Sequence, residues 1–298
     1  MAETYRVLLY SHDSQGLGHV RRNLAIAHNL ARRLPGAVDA DVAGLLVTGL
    51  APASRFPLPE GFDWVTIPGV SKGRDGYRPR SLSGATGDLI KLRSRLLQAA
   101  LLGFKPDLVI IDRHIYGVWS ELREPLMWLR EQHPTVRVVL GLREVLDDPR
   151  VAAAEWERLG DPDRLRDLVD EVWVYGDPAV HDPIATGEAP PALADRIRFT
   201  GYLAHDRRVS DHGEPIEPKP FVLTTDGHEL LSAAVAMRVP DGYENIIVTG
   251  PQLDDASFEA IASQAAPGTQ VHRSWPGLGS QIAEAAAVIS MGGYNTVC

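Results

Sequence analysis

Two glycine-bearing segments carry the residue types from which chemistry can be built. The first is Ser11-His12-Asp13-Ser14-Gln15-Gly16-Leu17-Gly18-His19. Gly16 and Gly18 let the backbone approach a ligand closely, and the His19 imidazole can take a proton from an attacking hydroxyl near neutral pH. A histidine that only caps a helix, and a glycine turn that only serves packing, account for the same residues. The second segment is Ile289-Ser290-Met291-Gly292-Gly293-Tyr294-Asn295-Thr296-Val297, an apolar run, two glycines and the opening of a helix. Unpaired amides and the positive end of a helix dipole suit a phosphate there, with Asn295 and Thr296 adding polar contacts. A diphosphate joining a sugar to a nucleoside fits such a turn, and a tight turn needed for helix–sheet packing is the alternative.

Further candidates sit where other apolar runs end. Thr225 and Gly227, in Phe221-Val222-Leu223-Thr224-Thr225-Asp226-Gly227, can meet phosphate or sugar oxygens, or Asp226 can be a plain helix cap. Trp275, in His272-Arg273-Ser274-Trp275-Pro276, can offer an aromatic edge to a nucleobase or simply pack. Arg143-Glu144, Asp147-Asp148-Pro149 and Tyr175-Gly176-Asp177 are placed to face a cleft, and caps or surface ion pairs explain them equally. The stretch from Lys72 to Arg80 is a basic loop suited to an anionic or lipid-phosphate acceptor, or a solvated loop. There is no HExxH, no paired cysteine motif and no strand-end Asp-x-Asp with acidic partners. Catalysis without a metal or a resident cofactor is therefore expected.

Short β-rich runs alternate with helical patterns along the chain and place these residues at strand ends. The runs are Tyr5–Tyr10, Val42–Thr48, Trp64–Ile67, Leu108–Ile111, Val136–Leu140, Val172–Tyr175, Phe199–Leu203, Phe221–Thr224, Ile246–Thr249, Val271–Arg273 and Val288–Met291. Leu108-Val109-Ile110-Ile111 and Ile246-Ile247-Val248 are apolar without alternation, as in strands covered on both faces. This predicts doubly wound parallel sheets with crossover helices. The first such helix runs from about Val20 to Leu34, with Leu24, Ala27, Leu30, Ala31 and Leu34 on one face. Three prolines within Pro215–Pro220, flanked by charge, read as a stiff linker. The expected division is a domain over 1–205, a linker over 206–219 and a second, incomplete domain over 220–298, with the native protein continuing past Cys298.

Bulk properties narrow the classes. A chain of 298 residues with 44% hydrophobic content supports about two domains. A net charge of −9 and a pI near 5.6 provide no general basic field for nucleic acid. One cysteine, Cys298, excludes an internal disulfide, and the chain opens without a signal-peptide apolar run, so a cytoplasmic location is expected. Leu96–Phe104 is about half the length needed to cross a bilayer, so any membrane contact is expected at the surface, at the inner face.

With both glycine turns placed, the whole chain resembles the GT-B fold glycosyltransferases. Within them it is most similar to the branch holding the peptidoglycan N-acetylglucosaminyltransferase and family 28-like bacterial relatives. The resemblance is carried by Ser14-Gln15-Gly16-Leu17-Gly18-His19, Pro68-Gly69-Val70 with Tyr77-Arg78-Pro79-Arg80-Ser81-Leu82, Gly141-Leu142-Arg143-Glu144, Val174-Tyr175-Gly176-Asp177-Pro178, Thr200-Gly201-Tyr202-Leu203 and Met291-Gly292-Gly293-Tyr294-Asn295-Thr296-Val297-Cys298. It implies two Rossmann-like domains facing a cleft, the first for an acceptor and the second for a nucleotide-diphosphate sugar. By position, Gly16, Gly18 and His19 would lie near the reacting hydroxyl, and Gly292, Gly293, Asn295 and Thr296 would cradle the diphosphate. The implied reaction is metal-independent, inverting transfer of a hexosyl group from a nucleotide sugar, UDP favoured, to an acceptor hydroxyl, with His19 as base. A non-hydrolysing nucleotide-sugar 2-epimerase and a non-catalytic sugar-nucleotide-binding protein are the alternatives. Two features depart from the family: the turn at Thr224-Thr225-Asp226-Gly227 is short and poor in glycine, and the acidic residue that would hold the ribose falls beyond Cys298.

Overall fold

Runs of consecutive apolar residues form strands whose two faces are both covered. In the computed structural model, which describes residues 4–12, 17–50, 56–73, 76–203, 217–225, 227–250, 253–275 and 277–297, the chain divides into two units, Met1–Leu203 and Ala204–Cys298. The first unit contains β1 (Thr4–Ser11), α1 (Gly18–Val38), β2 (Asp41–Thr48), β3 (Phe62–Thr66), β4 (Val70–Gly73), β5 (Gly76–Pro79), α2 (Thr86–Phe104) and β6 (Leu108–Asp112). It continues with α3 (Arg123–Gln132), β7 (Arg137–Arg143), α4 (Pro149–Leu159), α5 (Pro162–Leu168), β8 (Glu171–Tyr175) and β9 (Ile197–Phe199). The main sheet has the order β3-β2-β1-β6-β7-β8-β9, parallel throughout.

Every residue of β6, Leu108-Val109-Ile110-Ile111-Asp112, is buried. On one face of the sheet Leu8, Val109, Ile111, Val138 and Leu140 meet Leu97 and Leu101 of α2 and Leu126 and Leu129 of α3. Each such side chain contributes about 1.5–3 kcal/mol through the apolar area it removes from water. Helices α4 and α5 start at side-chain caps: Asp148 accepts from the Arg150 N–H and Asp161 from the Asp163 N–H, each followed by proline at the first helical position.

Some elements differ from the sequence reading. Helix α1 passes Pro35 and ends at Asp39 in the left-handed region (φ 51°), because a proline in the exposed last turn removes only one backbone bond. The stretch expected as a basic loop is the antiparallel hairpin β4–β5, pairing Val70 with Pro79 and Lys72 with Tyr77. The last strand of the first unit ends at Phe199, not Leu203. Thr200 and Gly201 still donate to Val174 O and Gly176 O, and the chain then turns away at Gly201.

The second unit contains β10 (Lys219–Thr225), α6 (His228–Ala234), β11 (Glu244–Val248), α7 (Asp255–Ser263), β12 (Thr269–His272), α8 (Leu278–Glu284), β13 (Ala285–Ile289) and α9 (Tyr294–Val297). Its parallel sheet has the order β12-β11-β10-β13. One face packs Ile247 with Leu231, Val235 and Ile261; the other packs Phe221, Leu223, Ile246 and Val248 with Leu278 and Ile282. Pro220, read from sequence as the last proline before the strand, lies inside β10. The pairing with β13 shifts register between Lys219 and Val222, which accommodates the missing N–H. The rest of the expected linker, 206–216, is outside the described residues.

Candidate functional site

Strands β1 and β6 are neighbours from which the chain winds in opposite directions, β1 leading to β2 on one side and β6 to β7 on the other. In open parallel sheets ligands bind outside the carboxyl ends of strands at such a switch point. Here those ends carry Ser11-His12 and Asp112-Arg113-His114. Helix α1 begins beside them, so His19 and Arg22, three residues apart, share the face turned toward Asp112.

These three side chains make one cluster. His19 Nδ1 is 2.7 Å from Asp112 Oδ2, Arg22 Nη2 is 2.9 Å from the same oxygen, and Arg22 Nε is 3.3 Å from Oδ1. Arg22 Nη2 also lies 2.8 Å from His19 Nδ1. A ring nitrogen cannot donate to the carboxylate and accept from the guanidinium at once. The carboxylate is the nearer and stronger acceptor, which puts the proton on Nδ1 and the lone pair on Nε2. Burial of Asp112 opposes its charge, but the Arg22 guanidinium and His19 outweigh burial and hold the carboxyl far below the usual carboxylate range. The Asp112 side chain is fully buried, whereas His19 is 20% exposed and able to meet a ligand. The arrangement is that of a base whose ring is fixed and whose protonated form has an anion waiting behind it.

Other rings surround it. The His12 ring lies 4.3 Å from His19 and 5.1 Å from His114, centroid to centroid, and 6.5 Å edge-on from Tyr77 on β5. His12 is 2% exposed, and burial, followed by the neighbouring His19 and His114, pushes its pKa well below the ordinary imidazole value. The loop after β6 departs from ordinary backbone: Arg113, Trp119 and Ser120 have φ of 69°, 55° and 60°. Non-glycine residues hold such angles only where the surroundings fix them. Glu121, next in sequence, is buried and accepts from the Tyr10 hydroxyl and from Arg93, whose Nη1 also donates to Pro68 O before the hairpin.

The sequence-predicted residues separate into two groups. In the first unit, Gly18 opens α1 and His19 turns its ring to Asp112; among the described residues no side chain caps that helix, His19 included. Gly16 lies outside the described residues. Arg143 ends β7 with its guanidinium turned back to donate to Leu146 O, and partial burial of that group, with the Arg113 and Arg22 guanidiniums, lowers its pKa. Asp177 is local in its bonding: its N–H donates to Glu144 Oε1 at 2.9 Å and its Oδ1 accepts from the Ala179 N–H at 2.9 Å. Tyr202 also donates to Glu144 Oε1, at 2.8 Å.

In the second unit, Thr225 is buried at the end of β10 and Gly227 follows at φ +75°, where a Cβ would come 2.7 Å from the sulfur of Met291. The turns after β10 and β13 therefore touch. Gly292 has φ +67°, and among the described residues no atom beyond the adjoining chain comes within 4 Å of where a Cβ would stand on it or on Gly293, so this turn is open to an approaching group. Thr296 donates its backbone N–H to Gly293 O at 2.8 Å, while the Asn295 side chain is outside what the structure describes. Trp275 packs on Phe221 and His272, with centroids at 6.0 and 5.3 Å.

Asp112, Arg22, His114 and the Arg93–Glu121 pair were assigned no site role by the sequence reading, and His12 entered it only as part of the first glycine segment. A signal existed for the first two. An Asp ending an otherwise apolar buried strand needs a cation, and Arg22 lies one helical turn beyond His19. Among the described residues no group of His, Cys, Asp or Glu could hold a metal ion, and no helix is long and apolar enough to cross a membrane.

Two Rossmann-like units in succession define the class: the fold is of the GT-B type shared by glycosyltransferases and nucleotide-sugar epimerases. MurG of Acinetobacter baumannii matches with 14% identity over 98% of this chain and 73% of its own, at a TM-score of 0.50. A putative UDP-N-acetylglucosamine 2-epimerase from Listeria monocytogenes matches with 13% identity over 98% and 75%, at 0.56. The UDP-GlcNAc 2-epimerase of Neisseria meningitidis, solved with UDP-GlcNAc bound, matches with 10% identity over 98% and 78%, at 0.55. No protein-family model and no curated protein matches the sequence.

Proposed function

We propose that the protein binds a nucleotide-diphosphate sugar, UDP-linked, and transfers its hexosyl group to an acceptor hydroxyl. The observation that carries this reading is the His19–Asp112–Arg22 cluster at the switch point of the first sheet. The acceptor O–H gives its proton to His19 Nε2, the oxygen bonds to the anomeric carbon, and the carbon–phosphate oxygen bond breaks with its electrons leaving on the diphosphate. Asp112 stabilises the imidazolium so formed, and its pairing with Arg22 keeps the carboxylate ionised throughout. Attack opposite the leaving group inverts the anomeric centre. The open turn at Gly292 and Gly293 is assigned the diphosphate, with Thr225 and Gly227 beside it, a reading supported by neighbours of this fold that carry UDP-sugars.

A second reading, epimerisation at C2 of the nucleotide sugar, is supported by the epimerases of Listeria monocytogenes and Neisseria meningitidis that share this fold. Products separate the two. Incubation with UDP-GlcNAc and a panel of hydroxyl acceptors should release UDP in step with a glycosylated acceptor, and His19→Gln should slow that release by about 10²–10⁴-fold. Accumulation of an epimerised sugar nucleotide without free UDP would replace transfer by epimerisation.

A further inference from the structure

The three-way contact at the end of β6 imposes a constraint that the transfer mechanism leaves unused. His19 Nδ1 lies 2.7 Å from Asp112 Oδ2, and Arg22 Nη2 lies 2.8 Å from the same ring nitrogen. The ring therefore meets an anion and a cation at nearly equal distance. The Asp112 side chain is 0% exposed and that of Arg22 6%, so water screens neither charge well. With the ring neutral, carboxylate and guanidinium cancel. With the ring doubly protonated, the trio carries a net positive charge, and the groups nearby do not offset it. At the end of β6, Arg113 is matched by Glu155 at 2.6 Å; at the end of β7, Arg143 bonds the Leu146 carbonyl, with Asp147 and Asp112 the acids that act on it. After β1 stands His12, whose own protonation burial opposes, and His114 lies beyond it.

Elsewhere the molecule pairs a histidine with a buried carboxylate and no arginine. Glu188, its side chain 3% exposed, lies 2.6 Å from His181 Nε2, and its other bonds come from the neutral Leu146 N–H and Thr186 hydroxyl. Such a pair favours the imidazolium, a ring with no lone pair left to take a proton.

We propose that Arg22 is a positioning residue that keeps the His19 ring neutral between turnovers and so sets the pH below which transfer stops. This inference rests on the transfer reading and adds the regulation of its base. In the transfer step Arg22 acts on the carboxylate; here it acts on the ring. The acceptor proton moves to Nε2 as the new bond to the anomeric carbon forms. The guanidinium 2.8 Å from Nδ1 then favours loss of that proton from Nε2 to water, which the 20% exposure of the His19 side chain allows. Nδ1 keeps its own proton on Asp112, and the ring is again a base.

The test follows protonation directly and needs no turnover. In the full chain with isotope-labelled histidine, the ring-nitrogen NMR signals that vanish in His19→Gln and in His181→Gln identify the two residues, and a pH titration gives their midpoints. In the unaltered protein His19 should take up its second proton at a lower pH than His181. Arg22→Gln should raise the His19 midpoint by about one pH unit, and the acid limb of the transfer rate should move with it. Arg22→Lys, which keeps the cation, should titrate near the parent. So should the double change Arg22→Gln with Asp112→Asn, because both opposed influences are then gone. That double change leaves no buried charge, so it and the comparison with His181 remain decisive where Arg22→Gln alone fails to fold. A His19 midpoint at or above that of His181, an Arg22→Gln midpoint at or below the parent's, a lysine variant that titrates like the glutamine one, or a double variant that titrates well below the parent would each overturn the proposal. The expected midpoints in a protein that transfers no sugar would leave the charge balance standing and remove the transfer reading, so the two failures are distinct.

Discussion

At the residue scale the site turns on a carboxylate that is buried and shared. Asp112 serves Arg22 and His19 together, so removing its charge has two consequences. Asp112→Asn leaves Arg22 buried without a full counter-charge, which should cost about 3–5 kcal/mol in denaturant unfolding. It also removes the anion behind the imidazolium, so turnover should fall with His19 still in place. His12 gives a separate, pH-dependent signature. Its folded pKa lies below the unfolded value of about 6.5. Between those two values the unfolded chain binds the extra proton, so stability falls as pH drops below about 6.5, by up to about 1.4 kcal/mol per pH unit. Asp112 has the opposite chemistry and a lower window: its depressed carboxyl contributes stability above the unfolded value of about 3.9, lost only as pH falls further. Urea midpoints from pH 7 to 5 should therefore decline, and His12→Leu should flatten that decline. An unchanged slope in the variant would assign the loss to other groups.

At the element scale, one helix start, one strand end and one strapped loop make the site. The strap is the Arg93–Glu121–Tyr10 cluster, with Arg93 and Glu121 side chains fully buried. Arg93→Met alone should cost about 3–5 kcal/mol, because Glu121 is left as an uncompensated buried charge. The triple change Arg93→Met, Glu121→Leu and Tyr10→Phe should recover most of that stability in urea titrations. Turnover should stay low, since nothing then holds Arg113, Trp119 and Ser120 at their positive φ. These elements were unequally legible in the sequence. Strands such as Leu108–Asp112 and Glu244–Val248 announce themselves because burial on both faces writes consecutive apolar residues. The hairpin strands Val70-Ser71-Lys72-Gly73 and Gly76-Tyr77-Arg78-Pro79 carry no such pattern, and they read as loop. His19 was legible from its place after Gly18, but its partner lies 93 residues away, and only the order β1 beside β6 brings them together. The strap was illegible for the same reason: Tyr10 and Glu121 are 111 residues apart.

At the scale of the whole molecule, two parallel sheets built on one scheme carry different burdens. The first ends in titratable and aromatic side chains held by buried ion pairs. The second ends in glycine turns whose backbone is open at Gly292 and Gly293. On the proposed function, proton transfer falls to the first unit and the diphosphate to the second, and their mutational signatures separate. Gly293→Val should weaken nucleotide affinity with the folding midpoint nearly unchanged, whereas His19→Gln should slow turnover with nucleotide affinity nearly unchanged. Nucleotide-sugar binding is measured by isothermal titration of the full chain with UDP-GlcNAc, UDP, GDP and ADP. Saturable binding that favours the uridine nucleotides and weakens in Gly293→Val is the result expected. Absence of binding by any of the four, with the protein folded, would contradict the nucleotide-sugar reading.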